Sequence, residues 1–177
     1  MNRGDLVEHV GWTGVGIAWT LTSSGLMATG AEARGSDGIS FVQISDSHIG
    51  FARPENPDVA ATLRKTIEAI NALPHQAAFV VHTGDLTHLS KPAQFDTTKQ
   101  LLSALNAPLI TVPGEHDVIG SPANYFASFK RKDAPQGWYA FDQGGVHFVS
   151  LVNVFNFEID GKLGAELLEF LAKDLAA

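Results

Sequence analysis

The 177-residue sequence contains no cysteine, which excludes disulfides, thiolate metal sites and cysteine nucleophiles and leaves the redox compartment open. Positive charge is also scarce: 12 Lys and Arg stand against 19 Asp and Glu, a formal net charge of −7. That balance argues against a surface that coats nucleic acid. An anionic substrate would need a local positive source, and a bound metal is the obvious one. There is no internal repeat and no low-complexity tail, and residues 10–31 carry no charge at all. The chain as a whole is ordinary for a globular protein, with 45% hydrophobic and 18% charged residues, and is long enough for one domain with a real core.

The uncharged stretch is rich in Gly, Thr and Ser and runs into Ala31-Glu32-Ala33, an A-x-A pattern. The preferred reading of residues 1–33 is an export signal cleaved after Ala33, which places the protein in the periplasm or outside the cell. Asn2-Arg3-Gly4-Asp5-Leu6-Val7 resembles a twin-arginine export motif with Gly4 in place of the second arginine, while Asp5 and Glu8 outweigh Arg3. Two alternatives follow. One is a membrane anchor, since 22 uncharged residues could span a bilayer, though many of them are small or polar. The other is a helix packed on a cytoplasmic domain. Residues 34–38 form a short polar linker, and the domain occupies 38–177.

Within that domain, residues 39–44 read as a buried strand. A helix from Asp58 is expected to bury Val59, Leu63, Ile67, Ile70 and Leu73 along one face and to stop at Pro74. Residues 77–82 form a second buried strand. A second helix over 92–106, with Ser90 as its cap, turns Phe95, Leu101, Leu102 and Leu105 inward. Residues 108–112 form a third strand. A short helix over 122–131 follows, then a hairpin of strands 137–141 and 146–152 turning at Asp142-Gln143-Gly144-Gly145. A turn at Asp160-Gly161 leads to a last helix over 165–175 whose apolar face is Leu167, Leu168, Leu171 and Leu175. The order strand, helix, strand, helix, strand predicts two parallel crossovers. Ligands of such sheets bind outside the carboxyl ends of the strands.

Each of the first three strands ends in a polar loop: Asp46-Ser47-His48, Gly84-Asp85, and Gly114-Glu115-His116-Asp117. Side chains at i and i+2 of a strand share a side, so Asp46 and His48 are expected to converge just past the strand end. An oxygen and an imidazole aimed at one point suit a transition metal. The loops lie thirty to forty residues apart in sequence and are expected to meet in space.

In order and spacing, the three loops resemble the D-x-H, G-D and G-N-H-D/E blocks of calcineurin-like metallophosphoesterases, a resemblance running from about Ile39 to the last residue. It implies an αββα sandwich and hydrolysis of a phosphate mono- or diester, a small-molecule substrate, by two divalent metal ions (Mn, Fe or Zn). By position, Asp46 and His48 would bind one metal, Asp85 would bridge both, and Glu115 would bind the second. A bridging hydroxide would attack phosphorus. His116 would stabilise or protonate the leaving oxygen, and Asp117 would orient His116 through its other ring nitrogen or only cap a turn. Two departures stand out. Glu115 replaces the usual asparagine, which adds a negative charge, removes an amide donor and implies tighter metal binding with weaker attraction for the substrate anion. The family's later histidine blocks are absent, since His147 is the only histidine after His116.

The expectation drawn from this is a domain cut before its last two metal-binding blocks, lacking the carboxyl-terminal part of its second sheet and the full ligand set of its second metal. Catalysis would be impaired. The alternative is an inactive truncated module that binds metal or protein, with self-association through an unpaired sheet edge. Among the remaining histidines, His82 and His147 read as satisfied structural residues. His88 could line the pocket or be an exposed loop residue.

Overall fold

The computed structural model describes residues 17–22, 25–30, 39–129, 131–154 and 163–176, the first two segments as backbone alone. Of the segment read as an export signal, Ile17–Thr22 (β1) and Gly25–Gly30 (β2) pair as antiparallel strands. In these residues the structure forms strands in place of the packed helix, in keeping with the β-branched and aromatic run Ile17, Trp19, Thr20 and Thr22. The remainder of the segment, the cleavage position at Ala33 and the turn at Asp160-Gly161 lie outside the described residues. Among the described residues no helix is long and apolar enough to cross a membrane.

Strand β3 (Val42–Ile44) leads to helix α1 (Val59–Asn71), which starts where Asp58 Oδ1 accepts from Ala61 N at 2.8 Å. Strand β4 (Val80–His82), helix α2 (Pro92–Leu102) and strand β5 (Leu109–Thr111) follow. The three strands form one parallel sheet in the order β3-β4-β5, as the alternation predicts. Helix α2 ends four residues sooner than its apolar pattern suggested. Ser90 is not its cap, because its hydroxyl donates to the Asp117 carbonyl at 2.7 Å. Gln94 Oε1 reaches back to Leu89 N and Lys91 N instead.

Helix α3 (Ala123–Phe129) joins α1 and α2 on one face of the sheet. There Leu63, Ile67, Phe95, Leu102 and Tyr125 form the main core, with Phe95 fully buried. Val42, Ile44, Val80 and Leu109 extend it beneath Ile70 and Leu105. Leu73 lies beyond the end of α1 and is exposed.

Strand neighbours alternate, so Phe41 and Phe79 point to the opposite face, where they stack at 5.0 Å. Strands β6 (Tyr139–Gln143) and β7 (Val146–Ser150) form a hairpin through Gly144 and Gly145, both at positive φ. Phe148 of this hairpin meets Phe79 at 5.1 Å and Phe41 at 5.5 Å. The paired residues Asp142 and His147 face away from that aromatic layer. There His147 Nε2 lies 2.8 Å from Asp174 of helix α4 (Ala165–Asp174) and its Nδ1 lies 2.7 Å from Asp142. These two hydrogen bonds, Asp174 first, hold the His147 imidazole above its ordinary pKa.

The layers therefore run helices, parallel sheet, hairpin, helix. Helix α4 turns Leu167, Phe170, Leu171 and Asp174 inward and leaves Leu168 and Leu175 exposed, so the expected leucine face is rotated. Among the described residues the second sheet consists of the β6–β7 pair.

Candidate metal centre

Beyond the strand ends the chain stays paired. Asp46 N donates to Gly84 O, His48 N to Asp85 O and Ile49 N to Leu86 O, at 2.9 to 3.1 Å. The loops after β3 and β4 thus run side by side past the sheet. Asp46 (φ 58°), His48 (φ 41°) and Asp85 (φ 54°) all adopt the left-handed conformation, which side chains other than glycine seldom take. The expected convergence of Asp46 and His48 is therefore made by backbone kinks, not by strand alternation, because β3 ends at Ile44. His48 Nε2 lies 3.6 Å from both Asp46 Oδ1 and Asp85 Oδ2.

The loop after β5 closes the group. Its single 3-10 turn, Glu115–Asp117, directs His116 N to Asp85 Oδ1 at 3.0 Å. Contact between the β4 and β5 loops requires glycine on both sides. A Cβ on Gly84 would fall 2.6 Å from Gly114 N, and one on Gly114 would fall 2.1 Å from Asp85 Oδ1. Two groups result whose ligand atoms all lie within 4.8 Å of one another: Asp46, His48 and Asp85, and Asp85, Glu115 and His116. Carboxylate and imidazole donors fit Mn, Fe or Zn, and His48 turns its Nε2 toward both carboxylates at a distance that leaves room for an ion between them. The side chains of Asp46 and Glu115 are 63% and 57% exposed, so the centre opens to solvent. A groove of about 310 Å³ between the start of α1 and α2 is lined by residues such as Phe51, Val59, Gln94 and Thr97, and no candidate ligand lines it.

Asp117 takes a different place from the one expected of an orienting residue. It is fully buried, and its carboxylate accepts from Leu86 N, Thr87 N, Thr87 Oγ1 and Gly114 N at 2.8 to 3.0 Å. Burial pushes its carboxyl above the usual carboxylate range while these donors pull it back. With four donors facing it, the carboxylate is the form that satisfies them, and it ties the β5 loop to the β4 loop. The Nδ1 of His116 is held instead by the His88 carbonyl at 2.7 Å. A carbonyl only accepts, so this nitrogen carries the proton and Nε2 faces the centre with a free lone pair in the neutral ring.

His82 is buried and fully bonded, the structural role expected of it. Its Nδ1 accepts from Gly84 N at 3.4 Å, which leaves the proton on Nε2 to donate to Ser47 Oγ at 2.9 Å. Ser47 in turn donates to Leu86 O at 3.1 Å. Burial lowers the His82 pKa to about 4, so the ring stays neutral and this relay anchors the Asp46-Ser47-His48 loop.

Sequence reasoning undervalued His88. Its ring is half-buried and stacks on His116 at 5.2 Å between centroids. Partial desolvation, then the neighbouring His116 and His48, hold its imidazole below the ordinary value. The available signal was an imidazole only three residues past Asp85, on a loop at the carboxyl end of a strand.

Similarity to known proteins points the same way. A family model described as Calcineurin-like phosphoesterase matches residues 39–171. A probable cyclic nucleotide phosphodiesterase of Rhodopseudomonas palustris is 32% identical over 93 residues, covering 51% of this chain and 34% of that protein. A glycerophosphodiester phosphodiesterase of Enterobacter lignolyticus is 32% identical over 80 residues, covering 42% of this chain and 28% of that protein. The chain thus spans about a third of the length of the curated relatives it matches. Among solved structures, a purple acid phosphatase from yellow lupin seeds shares the fold, with a TM-score of 0.55 at 20% identity over 78% of this chain and 28% of that one. With three-quarters of its length covered by the family model and the signature loops gathered at one sheet end, the chain belongs to the calcineurin-like phosphoesterase family.

Proposed function

We propose that the protein hydrolyses phosphate diesters of small molecules with the help of divalent metal ions held at the ends of β3, β4 and β5. The observation that carries the reading is the position of Asp85. Its carboxylate belongs to both acidic ligand groups, reaching His48 on one side and the His116 amide on the other. Such a shared carboxylate is what a pair of ions about 3.5–4 Å apart requires. Bound ions would polarise a phosphoryl oxygen and activate water for in-line attack. The choice of diester over monoester rests on the two curated relatives, both named as phosphodiesterases.

In this reading Asp46 and His48 hold one ion, Glu115 helps hold the other, and Mn, Fe or Zn suit the donors. The Nε2 of His116 stands at the open side, beside Glu115 Oε1 at 4.0 Å. When the ring is protonated, this nitrogen can donate to a leaving oxygen, while the His88 carbonyl keeps the ring in place. The exposed acidic rim at Glu115 disfavours anionic substrates in the metal-free state, so metal loading governs substrate binding as well as chemistry.

The test is hydrolysis of bis(p-nitrophenyl) phosphate by protein loaded with Mn2+, before and after chelation, in wild type and Asp85→Ala. Turnover should vanish on chelation and in the variant, and it should exceed turnover of p-nitrophenyl phosphate. Turnover that survives both treatments would sink the proposal. Metal binding without any turnover would assign the chain to a binding module instead.

A further inference from the structure

Beyond the two acidic groups, His48, His88 and His116 form a third set of ligand atoms lying within 4.8 Å of one another. The loops after β3, β4 and β5 each supply one of the three rings, and none of the three lies in a regular strand or α-helix. His48 meets His116 at 4.7 Å and His88 at 5.7 Å between centroids, edge to face in both cases. The Nδ1 atoms of His48 and His88 are buried and make no hydrogen bond. A buried polar nitrogen left without a partner is destabilising. A cation would satisfy the His88 nitrogen, while His48 turns its Nε2 to the carboxylates of the same centre; neutral imidazole is a favoured ligand of Zn, Cu, Ni and Fe.

We propose that His88 is a metal ligand: its imidazole joins His48 on the transition-metal ion that His48 holds, with the His116 ring stacked beside it. The inference rests on the metal-site reading above and extends it by one residue. It also gives a reason for the geometry of the β4 loop. His88 N donates to Ile49 O at 3.0 Å, and Thr87 pairs with Ile49 in a parallel bridge. The backbone on both sides of the ring is therefore pinned to the loop that carries His48. The competing explanation is that His88 merely stacks on His116 and holds it through its carbonyl. Phenylalanine at this position would keep both of those contacts and remove only the nitrogens.

The experiment titrates metal-free wild type, His88→Phe and Asp85→Ala with Co2+, followed by visible absorbance, and counts nitrogen ligands to bound Cu2+ by electron paramagnetic resonance. Loss of a hydrogen bond to a metal ligand already lowers metal affinity on the order of 10–100-fold, and loss of a ligand should do at least as much. We expect His88→Phe to weaken Co2+ binding by about tenfold or more and to lose one nitrogen from the Cu2+ spectrum. Unchanged affinity and nitrogen count in His88→Phe, with binding lost in Asp85→Ala, would overturn this inference and leave the acidic site standing. Weaker binding with an unchanged nitrogen count would also overturn it and make His88 a positioning residue. Wild type that binds no metal would overturn both readings. Should His88→Phe fail to fold, nitrogen-15 spectra of the wild-type imidazoles with Zn2+ decide the matter. A His88 ring signal that does not move on saturation refutes the proposal.

Discussion

Replacing Asp117 separates two roles for a residue that ends one of the signature loops. If the carboxylate is the tie between the β4 and β5 loops, its loss strands three backbone donors: Leu86 N, Thr87 N and Gly114 N. The Thr87 hydroxyl can rotate away, but backbone N–H groups cannot. An unsatisfied buried donor costs roughly 1–3 kcal/mol, and water entering the vacated space would recover part of that. Asp117→Ala should therefore cost about 3–6 kcal/mol, a large share of the roughly 5–15 kcal/mol that holds a domain together. Asp117→Asn keeps the shape but turns an amide N–H toward a backbone N–H, and should cost about 2–3 kcal/mol. Urea denaturation of metal-free protein measures both values without interference from metal binding. For a slope of about 1–3 kcal/mol per molar, the asparagine variant should shift the midpoint by roughly 0.7–3 M at unchanged slope. Throughout, the His116 Nδ1–H signal in nitrogen-15 spectra should stay as in wild type, because that nitrogen rests on the His88 carbonyl. Asp117→Asn within about 0.5 kcal/mol of wild type, together with a displaced His116 Nδ1–H signal, would refute this account and restore Asp117 as the orienting residue.

The relay through His82 sets a pH dependence. Its pKa falls from 6.5 to about 4 on folding, so the unfolded chain binds the extra proton between those values. The stabilising contribution is complete above pH 6.5 and shrinks as pH falls toward 4, by on the order of 3 kcal/mol. Urea midpoints across this window should show that decline in wild type and a flatter profile in His82→Gln; parallel profiles would contradict it. Phe95 is fully buried in the main core, against Tyr125 and Phe129 at 6.4 and 6.3 Å. Phe95→Ala should cost about 3–5 kcal/mol by calorimetry or denaturation, and a loss below about 1 kcal/mol would mean that the core is not organised around this ring.

Much of the scaffold was legible because it rests on short-range periodicity. The spacing of Val59, Leu63 and Ile67 announces a helix face, and the runs through Val42 and Val80 announce buried strands. The rotated face of α4 was less legible. Leucines 167, 168, 171 and 175 are equally apolar, and only the pairing of Asp174 with His147 shows which way the helix turns.

For the centre itself, sequence alone determined that Asp46, His48, Asp85, Glu115 and His116 would meet. They follow three strands whose pattern demands a parallel sheet, and all parallel strands end on the same side. Tertiary structure decided the partners. It gave His116 a carbonyl instead of Asp117, gave Asp117 four donors from two loops, and brought His88 against both His48 and His116. A backbone carbonyl leaves no trace in the identity of its residue, and a buried carboxylate does not announce which amides will surround it. Those choices are settled only when loops thirty or more residues apart are hydrogen-bonded side by side.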